Sequence, residues 1–202
     1  ENNSLSTKQP SFTSTKAYEI NFDSTGTRLN ALLSSYSGPL LTTLDITNGQ
    51  SRLVYDGVYH VETKNPNTSA FINWYGTPYT HILKNGTSKT YKNDTSIYGN
   101  YKYVVDEVAE ILYMYDARKN PILMAYDMVQ NQFIFKKELN VDSASEWRSG
   151  LTVIDNTIFL TAESNRINRY NASTGKELKP LKTGLFNTVY YLERTGENQI
   201  AI

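Results

Sequence analysis

Four short segments of the chain repeat one pattern, in which an apolar stretch precedes a polar turn. The turns end at Gly49, Gly86, Asn131 and Gly175, so successive repeats lie 37, 45 and 44 residues apart. A second stretch with strand-forming residues follows each turn, as expected for a β-hairpin. The spacing therefore predicts an all-β chain in which one antiparallel unit of strands recurs several times.

Turn residues divide each period into four predicted strands. In the first period Gly26, Gly38-Pro39 and Asn48-Gly49 supply the backbone angles that tight turns need. The predicted strands are 17–22, 29–34, 40–46, 52–55, 58–63, 70–75, 79–83, 88–91, 101–105, 111–116, 122–126, 132–136, 151–154, 157–161, 167–170, 176–181, 188–192 and 199–202, with a turn at 194–198 before the last. Four-stranded periods of this length are typical of β-propeller blades, and the chain holds about four and a half of them.

An alternative reading of the pattern uses helices. Apolar residues fall at helical spacing in two segments, 29–36 and 104–115. Two short helices there would give an α+β fold. Both segments are flanked by turn residues at hairpin spacing and have no clear helix cap, which favours strands. A short helical turn is expected at Ser143–Arg148, because Asp142 is a good N-cap residue.

The ends of the chain differ from its middle. Residues 1–16 are mostly polar and predict a flexible tether, whereas 17–202 form the predicted propeller-like domain. The fifth period breaks off within a strand, so we expect the domain to be incomplete at its C-terminal end. Unpaired strand edges promote association. The pattern therefore predicts either a longer parent protein or a homodimer in which two copies complete each other.

Composition excludes several classes of partner. Lysine plus arginine equals aspartate plus glutamate, 20 each, and no basic run occurs, which argues against nucleic acid. No apolar run reaches about 18 residues, so no membrane-spanning segment is expected. The absence of cysteine removes disulfides and thiolate metal sites. A polar tether is common behind a cleaved export signal, and we expect an extracellular, cell-surface or luminal protein.

One turn resembles those of a known repeat family. Tyr170 and Ser173-Thr174-Gly175-Lys176 match the turn of PQQ-like and YVTN-type propeller repeats, with Asn171 in place of the usual aspartate. Asp45 and Asp127 hold the equivalent place in two other periods. The resemblance implies a propeller fold but no substrate. It also argues against PQQ, because quinoprotein dehydrogenases use a vicinal cysteine pair that this chain lacks. No cofactor is expected.

The sequence offers few groups for catalysis. The two histidines, His60 and His81, lie singly in predicted strands, and no metal-binding spacing occurs. The remaining option is a pair of turn carboxylates, as used in carbohydrate-active hydrolases and lyases. The candidates are Asp106, Glu107, Glu110, Glu146 and Asp155. A solvated acidic turn is the commoner meaning of such residues, and no catalytic residue is assigned.

Aromatic residues near turns are the better candidates for binding. Trp74, Tyr75 and Tyr79 surround Gly76-Thr-Pro78, and Trp147 lies next to Arg148 in a connection between periods. Rings beside polar groups suit carbohydrates or protein partners, although each ring could equally pack between strands. The sequence therefore predicts a non-catalytic binding or protein-interaction module, such as a sensor domain, with a carbohydrate-active enzyme as the alternative.

Overall fold

The protein is all-β in the part that the structure describes. The computed structural model describes residues 17–22, 28–35, 38–48, 50–56, 58–64, 68–73, 79–84, 87–93, 102–117, 120–140, 149–163, 166–182, 192–196 and 199–201. The strands are β1 (Ala17–Phe22), β2 (Arg28–Ser35), β3 (Gly38–Asp45), β4 (Gln50–Asp56), β5 (Val58–Thr63), β6 (Ser69–Asn73), β7 (Tyr79–Lys84), β8 (Thr87–Lys92), β9 (Lys102–Asp106), β10 (Ile111–Asp116), β11 (Ile122–Asp127), β12 (Gln132–Glu138), β13 (Gly150–Ile154), β14 (Thr157–Glu163), β15 (Arg166–Asn171), β16 (Glu177–Lys182), β17 (Glu193–Gly196) and β18 (Gln199–Ala201).

These strands confirm the predicted architecture of four-stranded antiparallel blades, with half a blade at the end. The four repeated turns each join the third and fourth strands of their period. The α+β alternative is wrong, because 29–36 falls largely in β2 and 104–115 in β9 and β10. Hydrogen bonds to neighbouring strands pair the backbone N–H and C=O groups of both segments. The helical spacing of their apolar residues is therefore coincidental.

One turn prediction was wrong in part. The turn expected at 194–198 begins too early, because Glu193–Gly196 is strand β17 and pairs with β18. Gly196 is the last residue of this strand and pairs with Gln199, and residues 197–198 lie outside the described part of the chain. The predicted strand 188–192, apart from Leu192, the helical turn at Ser143–Arg148 and the tether 1–16 lie outside the described residues.

The chain separates into two compact units. The first comprises residues 1–60 and 67–95. Within it β1 to β4 form an antiparallel sheet in chain order, and β6 to β8 pair antiparallel in the same way. Ala70, Ile72 and Ile82 are buried in the second group. Beside them the buried Asn93 Nδ2 donates a 2.7 Å hydrogen bond to Thr80 Oγ1.

The second unit comprises residues 61–66 and 96–202. It contains the sheets β9–β12 and β13–β16 and the hairpin β17–β18, each antiparallel in chain order. The end of β5 runs parallel to β9, with Glu62 opposite Val104. This pairing continues past the strand, because Lys64 N donates to Val105 O at 2.8 Å.

The main core of the second unit lies between its two four-stranded sheets. Leu123 and Ala125 from one sheet pack in a cluster with Leu151, Val153 and Leu160 from the other, and all five are buried. The inner strands β9 and β13 are in contact. The outermost strand β12 instead alternates exposed and half-buried residues. The outermost strand is therefore the least buried of its sheet, as it is in a blade.

Alternation along β14 and β15 gives the sheet β13–β16 two distinct faces. Ile158 and Leu160 face the sheet β9–β12, while Phe159 packs with Ile167 and Leu192 on the opposite side. A strand turns successive side chains to opposite faces, so neighbours of Ile167 on β15 face the sheet β9–β12. None of the described residues belongs to a helix of the length and apolarity that a membrane crossing requires.

Tyr113 in this core should make the protein sensitive to alkali. The residue is only 3% exposed. Burial raises the pKa of its phenol above the ordinary value of about 10, and the negative charge of Asp106 raises it further. Folding therefore favours the protonated phenol, whose contribution is complete below pH about 10 and is lost as the pH rises towards the folded-state pKa. We expect the free energy of unfolding to fall by about 1.4 kcal/mol per pH unit above pH about 10.

Urea unfolding of the wild type and Tyr113→Phe across this pH range measures the effect. In Tyr113→Phe the free energy of unfolding should fall less steeply with pH, by the contribution of this one phenol. Tyr103→Phe, at a half-buried position of β9, is the control and should keep the wild-type slope. Identical pH profiles for wild type and Tyr113→Phe would refute the assignment.

Candidate binding cleft between two sheets

Three turns that connect neighbouring strands in the second unit have the same structure. Among the described residues, three turns begin with an Asp or Asn whose side-chain oxygen accepts two backbone N–H groups, and they end four positions later with a residue at positive φ. The pairs are Asp106 and Glu110 (φ 58), Asp127 and Asn131 (φ 56), and Asn171 and Gly175 (φ 67). Two of the four turns repeated in the sequence, those that end at Asn131 and Gly175, are thus Asx-capped turns, and the turn that begins at Asp106 has the same structure.

The same turns are fastened to their neighbours in an equivalent way. Met128 N donates to Glu110 O at 3.0 Å, and Ala172 N donates to Asn156 O at 2.9 Å. In each sheet the outer turn is therefore hydrogen bonded to the inner turn at the same end. The two blades share this hydrogen bond between turns although the residues that form it follow no common sequence pattern.

One of the turn carboxylates considered for catalysis, Asp106, caps its own turn. Asp106 Oδ1 accepts from the backbone N–H groups of Val108 and Ala109, at 3.1 and 2.9 Å. Its Oδ2 accepts from Lys64 Nζ at 2.8 Å, and the residue is buried. Asp155 occupies an exposed two-residue turn at φ 51. Glu146 lies outside the described residues. Asp106 therefore has a structural role with both oxygens engaged.

The aromatic residues predicted to bind ligand are largely untested. Trp74, Tyr75, Trp147 and Arg148 lie outside the described residues. Tyr79 begins β7, where it is half-buried and lies opposite Asn73 and Lys92. Its position at the start of a strand agrees with the sequence, but its role in binding stays a prediction.

A cleft opens where the outer strands of the two sheets of the second unit face each other. It has a volume of about 180 Å³. The end of β12 contributes one wall and β15 with the start of β16 contributes the other. The lining residues are Lys137, Glu138, Leu139, Asn140, Arg166, Asn168, Tyr170 and Glu177. Most of these side chains are polar, in contrast to the apolar packing between the inner strands.

Asn168 is the most unusual residue of the cleft. It is 2% exposed, yet its Nδ2 has no hydrogen-bond partner within the described part of the chain. A buried donor without a partner costs about 1–3 kcal/mol. Such groups are rare in native proteins and call for an explanation.

The backbone at Asn168 is irregular as well. Ile167 pairs with Leu181 and Arg169 pairs with Leu178, so Asn168 alone faces Lys179 and Pro180. One residue opposite two is a β-bulge, a feature that is frequent beside functional sites because it redirects a side chain. Pro180 fits this place, because proline has no N–H for the ladder. The bulge and the unpaired amide thus coincide at one position of the cleft wall.

Charges in the cleft are balanced. Lys137 and Arg166 supply two cations, and Glu138 and Glu177 supply two anions. Lys137 Nζ lies 5.5 Å from the centroid of the Tyr170 ring, which is itself buried. The face of the one aromatic ring in the cleft is therefore occupied by a cation from the facing sheet. This arrangement suits a neutral polar group better than an ion or a flat ring.

No group of three or more His, Asp or Glu side chains arranged to hold a metal ion occurs among the described residues. The chemistry that the cleft offers is hydrogen bonding, from an amide donor, two cations and two carboxylates.

Sequence reasoning missed this cleft. A signal was present, because Arg166, Asn168 and Tyr170 alternate on β15 with a buried Ile167 between them, and Pro180 interrupts the facing strand. Read alone, Asn168 is an ordinary polar strand residue. Only the facing end of β12, about thirty residues earlier in the chain, encloses it.

Comparison with solved structures agrees with this architecture. The chain is similar to a chain of a mitotic checkpoint complex, with a TM-score of 0.54 at 14% identity, over 87% of this chain and 53% of that one. It is also similar to TolB from Acinetobacter baumannii, with a TM-score of 0.51 at 12% identity, over 85% and 44%. These proteins are β-propellers. The fold is that of a β-propeller.

A third propeller, apo AztD from Citrobacter koseri, has a TM-score of 0.51 at 16% identity, over 80% of this chain and 47% of its own. The chain thus spans about half the length of each of these three structures. At these identities the likeness concerns the fold alone. No protein family model and no curated protein matches the sequence.

Proposed function

We propose that this chain is a non-catalytic binding module on a β-propeller scaffold, and that its partner docks at the cleft between β12 and β15. One observation carries the proposal: buried Asn168 lines the cleft, and its Nδ2 lacks a hydrogen-bond partner within the described part of the chain. A ligand with a hydrogen-bond acceptor would relieve the cost of that unpaired donor. The affinity for such a ligand would then be raised by the Asn168 donor, which is already in place in the folded protein.

The balance of charge supports a neutral polar ligand, which both a protein segment and a carbohydrate could supply. The volume of about 180 Å³ is well below that of a pocket for a drug-sized molecule. The cleft therefore accommodates one residue or one sugar ring of a larger partner, with the remainder outside it.

A carbohydrate-active enzyme is the second candidate, favoured by one observation. Glu138 and Glu177 are both lining residues of the cleft, one on each wall. Paired carboxylates on two sides of a site are the arrangement that glycoside hydrolysis requires. They replace the turn carboxylates as candidates, because Asp106 is engaged in the structure of its turn.

Binding of the fluorescently labelled protein to printed arrays of neutral glycans and of seven-residue peptides tests the proposal. The variant Asn168→Leu keeps the size of the side chain but removes the donor. The Asn168→Leu variant should bind the probes retained by the wild type with about tenfold lower affinity, because one good hydrogen bond contributes about that much. Gln130→Ala, on the exposed turn before β12, is the matched control and should bind normally.

Two results would overturn this proposal. Probes that bind wild type and folded Asn168→Leu equally would place the binding site elsewhere. Release of reducing sugar from a bound glycan, abolished in both Glu138→Gln and Glu177→Gln, would establish the enzyme instead.

We extend the proposal to the cellular location of the protein, to the repeat family that its blades resemble and to its dimerisation. The polar residues 1–16 support an extracellular, cell-surface or luminal location, and the turn Tyr170–Lys176 supports kinship with PQQ-like and YVTN-type repeats. The outer side of β12, which carries no further strand among the described residues, supports a sensor domain that forms a homodimer through strand edges. Native mass spectrometry measures the dimer, and fractionation of the source cells measures the location.

A further inference from the structure

The cleft lies beside the free edge of a sheet. In the second unit β12 is the last strand of β9–β12, and its outer side carries no further strand among the described residues. Leu139 N donates to Pro121 O at 2.8 Å, towards the inside of the sheet. Because N–H groups alternate in direction along an antiparallel strand, those of Lys136 and Glu138 are directed outward. The edge thus offers backbone donors next to the cleft wall.

The ammonium groups of the two lysines at this edge lie over aromatic rings of the protein itself. Lys136 Nζ lies 3.6 Å from the centroid of the Phe133 ring on the same strand, and Lys137 Nζ lies over Tyr170. Lysines commonly protect an edge by projecting from it. Here both ammonium groups contact rings of the protein itself, so their charges already have partners.

Lys137 on β12 and Leu139 just after it lie on the side that faces the sheet β13–β16, because Lys137 pairs with the core residue Leu123 and Leu139 belongs to the same core cluster. In an antiparallel pair, residues opposite each other place their side chains on the same face. A strand added to β12 would therefore direct the side chain opposite Lys137 into the cleft. The neighbouring residues of that strand, opposite Lys136 and Glu138, would exchange backbone hydrogen bonds with the edge.

We propose that β12 pairs with an extended segment of a partner protein, which places an Asn or Gln side chain in the cleft. This inference rests on the proposed function and specifies its partner. The carbonyl of such an amide accepts from Asn168 Nδ2, and its NH₂ group donates to a carboxylate such as that of Glu177. Backbone pairing supplies affinity and the cleft supplies specificity, as in other cases of strand addition.

The alternative occupant, a sugar ring, is less well matched. Protein sites for sugars commonly place an aromatic face against the ring. The face of Tyr170 is already covered by Lys137. An amide group needs no such platform, because planar donors and acceptors in the cleft satisfy both of its ends.

Fluorescence anisotropy with labelled heptapeptides tests the inference on the whole chain. The probe is acetyl-Thr-Val-Thr-Asn-Thr-Val-Thr-amide, with matched peptides that carry Leu, Asp or Lys at the centre. We expect the Asn peptide to bind at least about tenfold more tightly than the other three. Asn168→Leu should remove this preference, while Gln130→Ala should keep it.

N-methylation of the peptide tests strand pairing without altering the protein. Methyl groups on the two Thr residues that flank the central Asn block the backbone donors aimed at β12, and they should weaken binding at least about tenfold. A methyl group on the central Asn backbone faces away from β12 and should change binding little. Equal loss or equal retention for the two methylated peptides would overturn strand addition.

The two proposals can fail separately. If neutral methyl glycosides bind in a manner that depends on Asn168 while none of the heptapeptides does, the cleft is a binding site but its partner is not a strand, and this inference falls. If no probe depends on Asn168, in a variant whose urea unfolding matches wild type, both proposals fall. Glu177→Gln, at an exposed position, provides a second cleft variant that leaves the buried residues unchanged.

Discussion

Gly175→Val should lower the free energy of unfolding by about 3–4 kcal/mol, because two costs add. Gly175 has φ 67, a left-handed conformation that a β-branched residue adopts only with strain. In addition, a Cβ there would lie 2.8 Å from Phe135 Cδ2 and 2.9 Å from Cε2, closer than carbon atoms can approach. Phe135 packs on the core between the two sheets, so its ring cannot move without loss of contacts.

Urea unfolding followed by tryptophan fluorescence measures this effect. Asn131→Asp is the matched control, because Asn131 occupies the same place in its own turn at φ 56 and already carries a side chain, and aspartate keeps an oxygen that accepts from the Tyr126 hydroxyl. It should change stability by less than about 1 kcal/mol, since aspartate also tolerates positive φ. Removing the ring in the double variant Gly175→Val, Phe135→Ala should leave only the backbone share of the Gly175→Val effect. An unchanged unfolding curve for Gly175→Val would mean that this turn does not pack as described.

Asp106→Ala should lower the free energy of unfolding by about 3 kcal/mol. The variant removes two hydrogen bonds to the backbone N–H groups of Val108 and Ala109 and leaves Lys64 without the carboxylate 2.8 Å from its ammonium group. The Asp106 side chain is 5% exposed and that of Lys64 25%, so water screens this ion pair only weakly. Loss of one partner from such a pair is costly because the other charge stays behind.

The exposed turn of the same design supplies the control for Asp106. Asp127 Oδ1 accepts from Val129 N and Gln130 N at 2.9 and 2.8 Å, and both bonds are exposed. Asp127→Ala should therefore cost only about 1 kcal/mol, the usual worth of a capping side chain. Equal losses in the two variants would show that the Lys64 contact contributes nothing. A double variant with Lys64→Met separates the ion pair from the cap.

The Asp106 result also bears on function. A carboxylate that caps a turn and pairs with lysine is held by the fold, and its replacement should be read first as a loss of stability. An assay for a carbohydrate-active enzyme therefore needs Glu138→Gln and Glu177→Gln, which are lining residues of the cleft at exposed positions.

The repeat was predictable because it is local. Each blade is made by short hairpins, and a hairpin is governed by the few residues of its turn. Asn131 and Gly175 end their turns at positive φ, as their residue types suggested. Glu110 adopts the same conformation without any such signal, because the cap from Asp106 and the bond from Met128 N hold that turn in place.

The sequence by itself determined the all-β class, the four-stranded period and the place of nearly every strand, because these depend on turn chemistry and alternation within about ten residues. Tertiary structure alone decided the cleft. Asn168 gains its place in the cleft from the bulge opposite Lys179 and Pro180 and from the end of β12, which belongs to another sheet. The pairing of β15 with β14 and β16 does not reveal that β12 lies opposite. Contacts between sheets depend on residues far apart in the chain, and no local pattern encodes which polar side chain they will enclose.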